Sequence, residues 1–307
     1  MTNVFVDYAV PDVQRREALY RGDLLVFTPR PSALALAELA RDALTEAFAP
    51  HDPREAQYHF AVDEYATILG RVKPAFIHDP RCKKLIASLM DEIGANPDEI
   101  YFDVPRLRSS TAKGYLTTGI AYAFHPHRDT WYSAPLAQMN WWFPVYDIEP
   151  DNGLAFHPRY FDQAVRNGSA DYNYYRWNAE SRAAAATMVG SDTREQPKPL
   201  EDIDLDPQIR VIAPVGGLLA FSGNQLHSSV PNTSRVTRFS IDFRTVHRGD
   251  LVEGRSAVNV DCACTGTTLR DFVRCTTLER LPDDIVARYD DDSAKEYPTL
   301  VYQPTAD

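Results

Sequence analysis

The clearest strand signal in the chain is Arg238-Phe239-Ser240-Ile241-Asp242-Phe243-Arg244. Apolar and polar residues alternate, so an extended backbone places Phe239, Ile241 and Phe243 on one face and the polar side chains on the other. Such alternation is typical of a strand with one face on a hydrophobic core and the other facing polar surroundings. The stretch therefore predicts a β-sheet strand that separates a core from a polar surface.

Short strand-like runs lie on the N-terminal side of this stretch. Pro, Gly, Asn or Asp punctuate most of the gaps between them. Many short strands without intervening helices favour an antiparallel double sheet, and a jelly roll is the commonest solution of this kind. The predicted strands cover residues 100–109, 113–124, 138–146, 153–157, 209–215, 217–222 and 235–246.

The first hundred residues have helical character. Residues 32–49 are rich in Ala and Leu, Asp52-Pro53 predicts the start of a helix that runs to Gly70, and Asp79-Pro80 predicts the start of another that ends at Gly94. We expect these helices to pack as a layer outside the sheet. The fold class is therefore mostly β with flanking α. We expect a single domain over residues 1–307, with a helical N-terminal layer (1–99), a jelly-roll core (100–250) and a C-terminal extension (251–307).

A long interruption occupies residues 160–207 of the predicted core. It holds an aromatic cluster between Tyr172 and Trp177, an alanine-rich helical segment over 179–189 and a polar run over 190–206. A long insertion between strands is often a lid or a binding loop, and a surface decoration or an oligomer contact is the alternative. After Val246 a helical pattern is visible at 281–289, and the last residues have the character of a frayed tail.

Composition excludes several classes of function. The chain is 44% hydrophobic and 24% charged, as in an ordinary globular protein, and its formal net charge of −11 opposes wholesale binding to nucleic acid or an anionic membrane. No secretory signal and no membrane-spanning run is visible. We therefore expect a cytoplasmic protein without a nucleic-acid or membrane partner, either a monomer or a homodimer. The cysteines at positions 82, 262, 264 and 275 lack the paired spacing of a structural zinc site and are expected to be reduced thiols.

A candidate metal site begins in Phe124-His-Pro-His-Arg-Asp129. Spacing of i, i+2 puts His127 and Asp129 on the same face of an extended segment. An imidazole and a carboxylate supply two ligands of a 2-His-1-carboxylate facial triad, which holds Fe(II) and leaves positions open. His125 is an alternative ligand, but Pro126 between the two histidines and the presence of Asp129 favour the pair at 127 and 129.

The third ligand is predicted at His227, which follows the strand at 217–222 and precedes a turn at 231–234. A hairpin centred on that turn would place His227 opposite Arg238. Arg238 is permanently charged and planar, so it can bind a carboxylate through two parallel hydrogen bonds, and Ser240 would add a hydroxyl on the same face. For the strand alone a solvated polar face is the alternative. The order of ligands and arginine along the chain favours a metal site with an anchor for 2-oxoglutarate.

Three segments resemble the phytanoyl-CoA dioxygenase-like (PhyH-like) branch of the Fe(II)/2-oxoglutarate-dependent oxygenases: His127-Arg128-Asp129, Asp-Asn-Gly-Leu-Ala-Phe-His-Pro at 151–158, and the stretch 217–238. The resemblance covers roughly residues 100–247. It implies a double-stranded β-helix (jelly-roll, cupin-like) core, Fe(II), and 2-oxoglutarate and O2 as cosubstrates. It makes His127, Asp129 and His227 the iron ligands and catalytic residues, and Arg238 the 2-oxoglutarate anchor with Ser240 as helper. The branch typically continues 151–158 with Gly-Ser-His, whereas this chain has Arg159-Tyr160-Phe161, so no substrate is implied.

We expect an enzyme that hydroxylates an unactivated C–H bond of a small polar molecule, with decarboxylation of 2-oxoglutarate to succinate and CO2, as in tailoring of a natural product. Desaturation, ring closure and epimerisation are the other oxidative outcomes. Halogenating relatives carry Gly or Ala at the position of Asp129, so the carboxylate favours oxygenation. A cupin-like metal-dependent isomerase, a dioxygenase without a cosubstrate and a non-catalytic ligand-binding jelly roll are the alternatives.

Substrate contacts are predicted from strand faces. Gln138, Asn140 and Trp142 share one face of a strand, and polar groups among aromatic ones suit a small polar substrate. Arg106 and Arg108 share a strand face and are candidates for binding a carboxylate or phosphate, with surface salt bridges as the alternative. Further candidates are Thr130, for cofactor binding or as a wall residue, and His157, as a pocket wall in contact with substrate or as a core histidine with satisfied hydrogen bonds.

Overall fold

The computed structural model describes residues 2–122, 125–194 and 196–291. The helices are α1 Asp12–Tyr20, α2 Pro31–Phe48, α3 Val62–His78, α4 Pro80–Glu92, α5 Tyr174–Glu180, α6 Arg248–Glu253 and α7 Asp283–Val286. The strands are β1 Val4–Val6, β2 Leu24–Phe27, β3 Ile100–Phe102, β4 Arg106–Ser110, β5 Met139–Pro144, β6 Leu154–Phe156, β7 Ile209–Arg210, β8 Leu218–Ser222, β9 His227–Ser229, β10 Arg238–His247 and β11 Val273–Arg274. Helices hold more residues than strands because the N-terminal layer is large and the strands are short.

Two sheets form the core of the described chain. The larger has eight strands in the order β1-β2-β8-β5-β10-β3-β11, with β4 also paired to β10, and the smaller has the order β7-β6-β9. All pairings are antiparallel except that of β1 with β2. Apolar side chains of both sheets, such as Trp142 and Phe221 from the larger and Phe156 from the smaller, are buried together. This double sheet is the predicted jelly-roll, or double-stranded β-helix, fold.

The central strand β10 divides the molecule in the way its alternation predicts. Phe239, Ile241 and Phe243 are fully buried in the main core, where Phe243 stacks on Trp141 of β5 with 6.0 Å between ring centroids. Helices α2, α3 and α4 cover this face of the sheet with buried leucines such as Leu36 and Leu69. The polar face of β10 is turned towards the space between the sheets, where it lines a cavity.

The N-terminal layer is helical but also contributes strands. The prediction missed β1 and β2, which extend the larger sheet through the pairing of Leu25 with Ala220. Helices α2 and α4 lie where they were expected, and Asp79 accepts a hydrogen bond from the Arg81 backbone at the start of α4. The expected start at Asp52-Pro53 was wrong: Asp52 caps a turn by accepting from the Arg54 amide at 2.9 Å. The helix itself, α3, begins ten residues later and continues past Gly70.

Two strand predictions before the metal site were also wrong. The run 100–109 is broken into β3 and β4 by Asp103-Val104-Pro105, since proline has no amide for the ladder. Over 113–122 the chain forms turns, because Lys113, Gly114 and Gly119 all have positive φ, which an extended strand does not allow. The end of that predicted strand, Ala123 and Phe124, lies outside the described residues.

The predicted hairpin between residues 227 and 238 is not formed. His227 lies in β9, which pairs with β6 in the smaller sheet, whereas Arg238 begins β10 in the larger sheet. The intervening segment crosses from one sheet to the other, because Asn232 holds it to β4 through a hydrogen bond from Nδ2 to the Ser110 carbonyl at 2.7 Å. Both side chains still line the same cavity.

The insertion and the C-terminal segment both pack on the core. Within the insertion, helix α5 starts earlier than expected and a short 3₁₀ turn, Ala183–Thr187, follows it. In the C-terminal segment β11 pairs with β3, and Leu269, Phe272 and Leu281 are buried. The predicted tail falls largely on 292–307, outside the described residues. No helix in the described part of the chain is both long and apolar enough to cross a membrane.

Candidate metal centre

His127, Asp129 and His227 converge between the two sheets. One potential ligand atom from each lies within 4.8 Å of the others, and all three residues are buried. Nε2 of His127 lies 3.4 Å and Nε2 of His227 lies 3.9 Å from Oδ1 of Asp129. Two imidazoles and one carboxylate at these separations form a 2-His-1-carboxylate triad, the donor set typical of non-haem Fe(II) sites.

Backbone pairing brings the two histidines together. His127 and His227 form an isolated antiparallel bridge, with N–H to carbonyl hydrogen bonds of 2.9 Å in both directions. Asp129 then begins the 3₁₀ turn Asp129–Tyr132, which brings its carboxylate beneath the two rings. The bridge explains why ligands a hundred residues apart meet.

Each histidine ring is oriented by a carbonyl group two residues earlier in the chain. Nδ1 of His127 lies 2.8 Å from the His125 carbonyl oxygen, and Nδ1 of His227 lies 3.0 Å from that of Gln225. A carbonyl only accepts, so each Nδ1 donates its proton to that oxygen, and Nε2 is the ring nitrogen that faces Asp129. His125 therefore contributes its carbonyl oxygen to the site.

The second oxygen of Asp129 is held by two donors. Oδ2 accepts from Gln138 Nε2 at 3.2 Å and from Arg244 Nε at 3.4 Å. Burial raises the pKa of Asp129, but the Arg244 charge and the His127 contact more than offset it, so this pKa falls far below its usual range. The carboxylate is therefore ionised, with Oδ1 directed towards the histidines.

His227 is neutral at physiological pH. Burial, followed by the neighbouring His127, lowers its pKa to about 3. A metal ligand must offer a lone pair, which a protonated imidazole lacks. The site is thus ready for a divalent cation without first losing a proton from this ring.

Arg238 is a buried cation without a carboxylate partner. Its side chain makes no ion pair among the described residues, and its Nε has no hydrogen-bond partner. Nη1 lies 3.4 Å from Ser240 Oγ, and the guanidinium lies 5.5 Å from the centroid of the Trp142 ring. Burial lowers the pKa of Arg238 to about 10, so the group remains charged at neutral pH.

One cavity of about 400 Å³ contains the triad and Arg238. The polar face of β10 lines it from Arg238 through Ser240 and Asp242 to Arg244, and the insertion contributes side chains on another side. Phe221, Leu154 and Trp142 supply apolar wall. A cavity of this size lies within the range of pockets that bind small molecules.

Five of the predicted substrate contacts lie at the cavity. Gln138, Asn140, Trp142, Arg106 and Arg108 line the cavity, although Gln138 also donates to Asp129 and Arg108 pairs with Asp242 at 2.6 Å.

Thr130 and His157 are not among the residues that line the cavity. The Thr130 hydroxyl lies 3.3 Å from Asn224 Oδ1. His157 is buried against Ser228, with Nε2 3.0 Å from the serine hydroxyl, and its Nδ1 lies 3.1 Å from the Leu205 carbonyl oxygen. Both are satisfied polar residues behind the pocket wall.

Sequence reasoning missed several residues of the cavity. Arg244 shares the polar face of β10 with Arg238, so the same alternation could have identified it. Lys73 of α3 reaches the cavity and donates to Ser109 Oγ at 2.9 Å and to the Ile120 carbonyl at 2.6 Å. A lysine within a helical pattern gives no such signal.

The cysteines do not form a metal site among the described residues. Cys262 and Cys264 have sulfurs 3.2 Å apart, both near the Thr130 carbonyl, while Cys82 and Cys275 are buried elsewhere. The triad is the one potential metal-binding cluster in the described ranges.

Fold and site together define a jelly-roll protein with a 2-His-1-carboxylate metal centre. Similar solved structures include EvdO2 from Micromonospora carbonacea var. aurantiaca, complexed with 2-oxoglutarate, at 12% identity and a TM-score of 0.43 over 78% of this chain and 92% of that one. The SnoN epimerase of nogalamycin biosynthesis, described as non-heme and alpha-ketoglutarate-dependent, matches at 12% identity and a TM-score of 0.37 over 77% and 84%. The SnoK carbocyclase of the same biosynthesis matches at 11% identity and a TM-score of 0.38, over 78% of this chain and 86% of that one.

These likenesses are too distant to transfer an activity. No family model matches the chain and no curated protein matches it, so the resemblance to the phytanoyl-CoA dioxygenase-like branch is not confirmed. The neighbours are non-heme enzymes whose reactions differ from one another. Function is therefore argued from the residues of the site.

Proposed function

We propose that this protein is an Fe(II)- and 2-oxoglutarate-dependent oxygenase that hydroxylates an unactivated C–H bond of a small polar molecule. The observation that supports it most is the pairing, in one cavity, of a 2-His-1-carboxylate triad with the buried, unpaired Arg238. When bound, Fe(II) and 2-oxoglutarate would supply electrons that activate O2, so that one oxygen atom enters a C–H bond of the substrate and the other enters succinate, which forms with CO2 from 2-oxoglutarate.

The triad residues fit Fe(II). His127 and His227 present Nε2 to the site because Nδ1 of each ring is held by a backbone carbonyl, and Asp129 presents one oxygen of an ionised carboxylate. Three ligands on one side leave the other side for a chelating cosubstrate and O2. Gln138 and Arg244 hold the remaining carboxylate oxygen, so Asp129 keeps one orientation.

Arg238 fits the distal carboxylate of 2-oxoglutarate. A buried guanidinium without an ion pair is costly, and a carboxylate that accepts two parallel hydrogen bonds offsets that cost. Ser240 Oγ lies beside it and adds a hydroxyl donor, while the Trp142 ring supports the cation from one side.

The alternatives make different use of this arginine. A cupin-like isomerase or a dioxygenase without a cosubstrate does not require Arg238, and a ligand-binding jelly roll does not require the triad. Activity that survives Arg238→Gln would favour the isomerase or the dioxygenase without a cosubstrate. A purified protein that takes up no Fe(II) would favour the ligand-binding jelly roll.

The decisive experiment is anaerobic addition of Fe(II) and then 2-oxoglutarate, followed by visible spectroscopy. We expect a metal-to-ligand charge-transfer band that requires both additions. His127→Ala, Asp129→Ala and His227→Ala should each abolish the band while circular dichroism remains unchanged. A folded wild-type protein that binds Fe(II) and 2-oxoglutarate without giving the band would overturn the proposal.

Hydroxylation is tested separately, once a substrate is found. Under 18O2 we expect one labelled oxygen atom in the product and one in succinate. Substrate consumed with succinate formation but without oxygen in the product would retain the dependence on 2-oxoglutarate and refute hydroxylation.

A further inference from the structure

The end of the cavity formed by the insertion carries a row of polar side chains. Tyr174 and Asn178 of α5 and Arg182, just beyond it, are spaced i, i+4 and i+8, so they lie on one helical face. All three line the cavity, as does Thr268 from the C-terminal segment. Two segments outside the sheets therefore build this end of the pocket.

Several polar atoms here lack partners. Asn178 is 6% exposed, and its amide oxygen accepts no hydrogen bond from the described residues. The indole Nε1 of Trp177 and the hydroxyl of Thr268 are also buried without a partner among the described residues. A buried polar group without a partner costs about 1–3 kcal/mol. Three such residues lining one cavity indicate a place for a polar ligand.

Arg182 is the unpaired charge at this end. Its side chain makes no hydrogen bond or ion pair among the described residues, although Asp103 and Asp271 lie near enough to act on its charge. Asp103 is already bound by Arg106 and Arg244, and Asp271 accepts a hydrogen bond from the Tyr174 hydroxyl. Burial, followed by repulsion from Arg106, lowers the pKa of Arg182.

The net charge of the cavity lining also favours an anionic ligand. Seven Lys and Arg side chains line it against four Asp, in a chain whose formal net charge is −11. A divalent cation and the dianion of 2-oxoglutarate would cancel each other. The excess of positive charge then remains for the substrate.

Arg182 and Arg238 line the cavity from different elements, since Arg238 begins β10 and Arg182 follows α5 in the insertion. The charges that act on Arg238 are those of Asp242 and Arg108, which lie on the larger sheet, whereas Arg106, Asp271 and Asp103 act on Arg182. A ligand held by Arg238 beside Ser240 therefore leaves the Arg182 end available.

We propose that the substrate carries a carboxylate or phosphate group that binds Arg182, with the Asn178 amide, the Trp177 indole N–H and the Thr268 hydroxyl as further hydrogen-bonding partners. That the bound molecule is the substrate rests on the proposed oxygenase function, but the anion site itself does not depend on that function. Binding there orients the remainder of the molecule towards the triad.

The test measures thermal unfolding of the protein saturated with Mn(II) and 2-oxoglutarate, in acetate or methyl phosphate at constant ionic strength set with NaCl. We expect at least one anion to raise Tm in a saturable manner, and the stronger one identifies the head group. In Arg182→Gln the apparent affinity should fall at least five-fold. Arg176→Gln, which removes an exposed arginine of α5, is the matched control and should behave as wild type.

Asn178→Asp provides a second variant, because a carboxylate at this position should repel the anion while the arginine stays in place. No rise in Tm with either anion, or equal rises in wild type and Arg182→Gln, overturns the inference. The Fe(II)/2-oxoglutarate band is recorded in the same variants. Loss of the band in Arg182→Gln, with the band kept in wild type, would assign Arg182 to the cosubstrate and also overturn the inference. Absence of the band in wild type would refute the oxygenase proposal, and the anion result could still be interpreted.

Discussion

Arg238 contributes a charge that no carboxylate of the described chain balances through an ion pair. Arg238→Lys keeps the charge but loses the planar pair of donors. Hydrogen bonds to charged groups are worth about 1.5–3 kcal/mol, so we expect the Kd for 2-oxoglutarate to rise roughly 10- to 150-fold in Arg238→Gln, and less in Arg238→Lys. This Kd is measured by titrating 2-oxoglutarate into the Fe(II) protein and following the charge-transfer band.

A matched control for this prediction is Arg235→Gln, which removes an exposed arginine three positions earlier. It should leave the Kd for 2-oxoglutarate unchanged. Equal Kd values in Arg238→Gln and wild type would show that another residue anchors the cosubstrate.

Lys73 makes stability depend on pH. Burial, followed by the Arg108 charge, lowers its pKa from 10.5 to about 7. Between those values the unfolded chain binds more protons than the folded one, so the free energy of unfolding rises with pH, by at most about 1.4 kcal/mol per unit. Below pH 7 both states are protonated and the folded state carries the full cost of the buried charge.

We therefore expect Lys73→Met to flatten the rise in unfolding free energy between pH 7 and pH 10, as measured by urea denaturation. Lys84→Met, at an exposed position on α4, should retain the wild-type profile. Parallel profiles for wild type and Lys73→Met would contradict a neutral buried amine.

Among elements, the turn that carries the ligands is fixed by the C-terminal segment. Asp261 accepts from Arg128 Nε at 3.0 Å, from Trp131 Nε1 at 2.7 Å and from the Val165 amide at 3.0 Å. Arg128 is fully buried between two metal ligands in sequence. Removing one partner of a buried ion pair costs about 3–5 kcal/mol.

Asp261→Ala should therefore lower the unfolding free energy by about 3–5 kcal/mol and weaken Fe(II) binding, because Arg128 then loses its carboxylate partner and keeps only backbone carbonyl acceptors. Chemical denaturation and anaerobic Fe(II) titration measure the two effects. Asp284→Ala, an exposed acid of the same segment, is the control. Unchanged metal affinity in Asp261→Ala would mean that the backbone bridge alone positions the ligands.

The insertion is held against the core at Gly119. Its φ is +56°, and a Cβ there would lie 2.4 Å from the carbonyl oxygens of Ala185 and Met188. The Thr118 hydroxyl also donates to the Met188 carbonyl, and the Gly119 amide to Asp192. These contacts place the insertion beside the cavity, close to Arg182.

We expect Gly119→Ala to displace the 185–188 segment and weaken anion binding in the thermal assay, while the Fe(II)/2-oxoglutarate band persists. Gly114→Ala offers a close control, since its φ is +71° but nothing lies within 4 Å of the added Cβ. It carries the same backbone strain, about 1–2 kcal/mol, without the clash. Equal effects of the two substitutions on anion binding would show that the close approach of residues 185–188 to Gly119 does not matter for the anion site.

At the scale of the whole molecule, the C-terminal segment completes the core. Leu269, Phe272, Val273 and Leu281 are each at most 3% exposed. Burial of such side chains contributes about 1.5–3 kcal/mol each, and together they approach the net stability of about 5–15 kcal/mol of a typical domain. We propose that residues 1–307 form a single domain for this reason.

A chain ending at Glu253 should consequently lack a cooperative thermal transition by circular dichroism, whereas the full chain should unfold in one transition. A truncated protein that unfolds cooperatively at a similar temperature would show the extension to be a separate unit.

Local pattern determined a good deal of this molecule. Alternation in 238–244 placed Phe239 and Ile241 in the core and Arg238 and Ser240 on the polar face, because strand side chains alternate whatever the partner strand is. The Asp79-Pro80 start of α4 was also predictable, since a capped helix start depends on adjacent residues only. The three residues of the triad were identified by residue type, order and spacing.

Tertiary structure decided what lies between those elements. His227 and Arg238 occupy different sheets because the chain between them crosses over, held by Asn232, and no local pattern specifies which sheet a short strand joins. The convergence of Asn178, Arg182 and Thr268 on one cavity likewise depends on packing between distant segments. The sequence alone thus determined the strand faces and the metal-binding residues, whereas only the tertiary structure decided which unpaired polar groups meet there, because long-range packing sets the partners of a side chain.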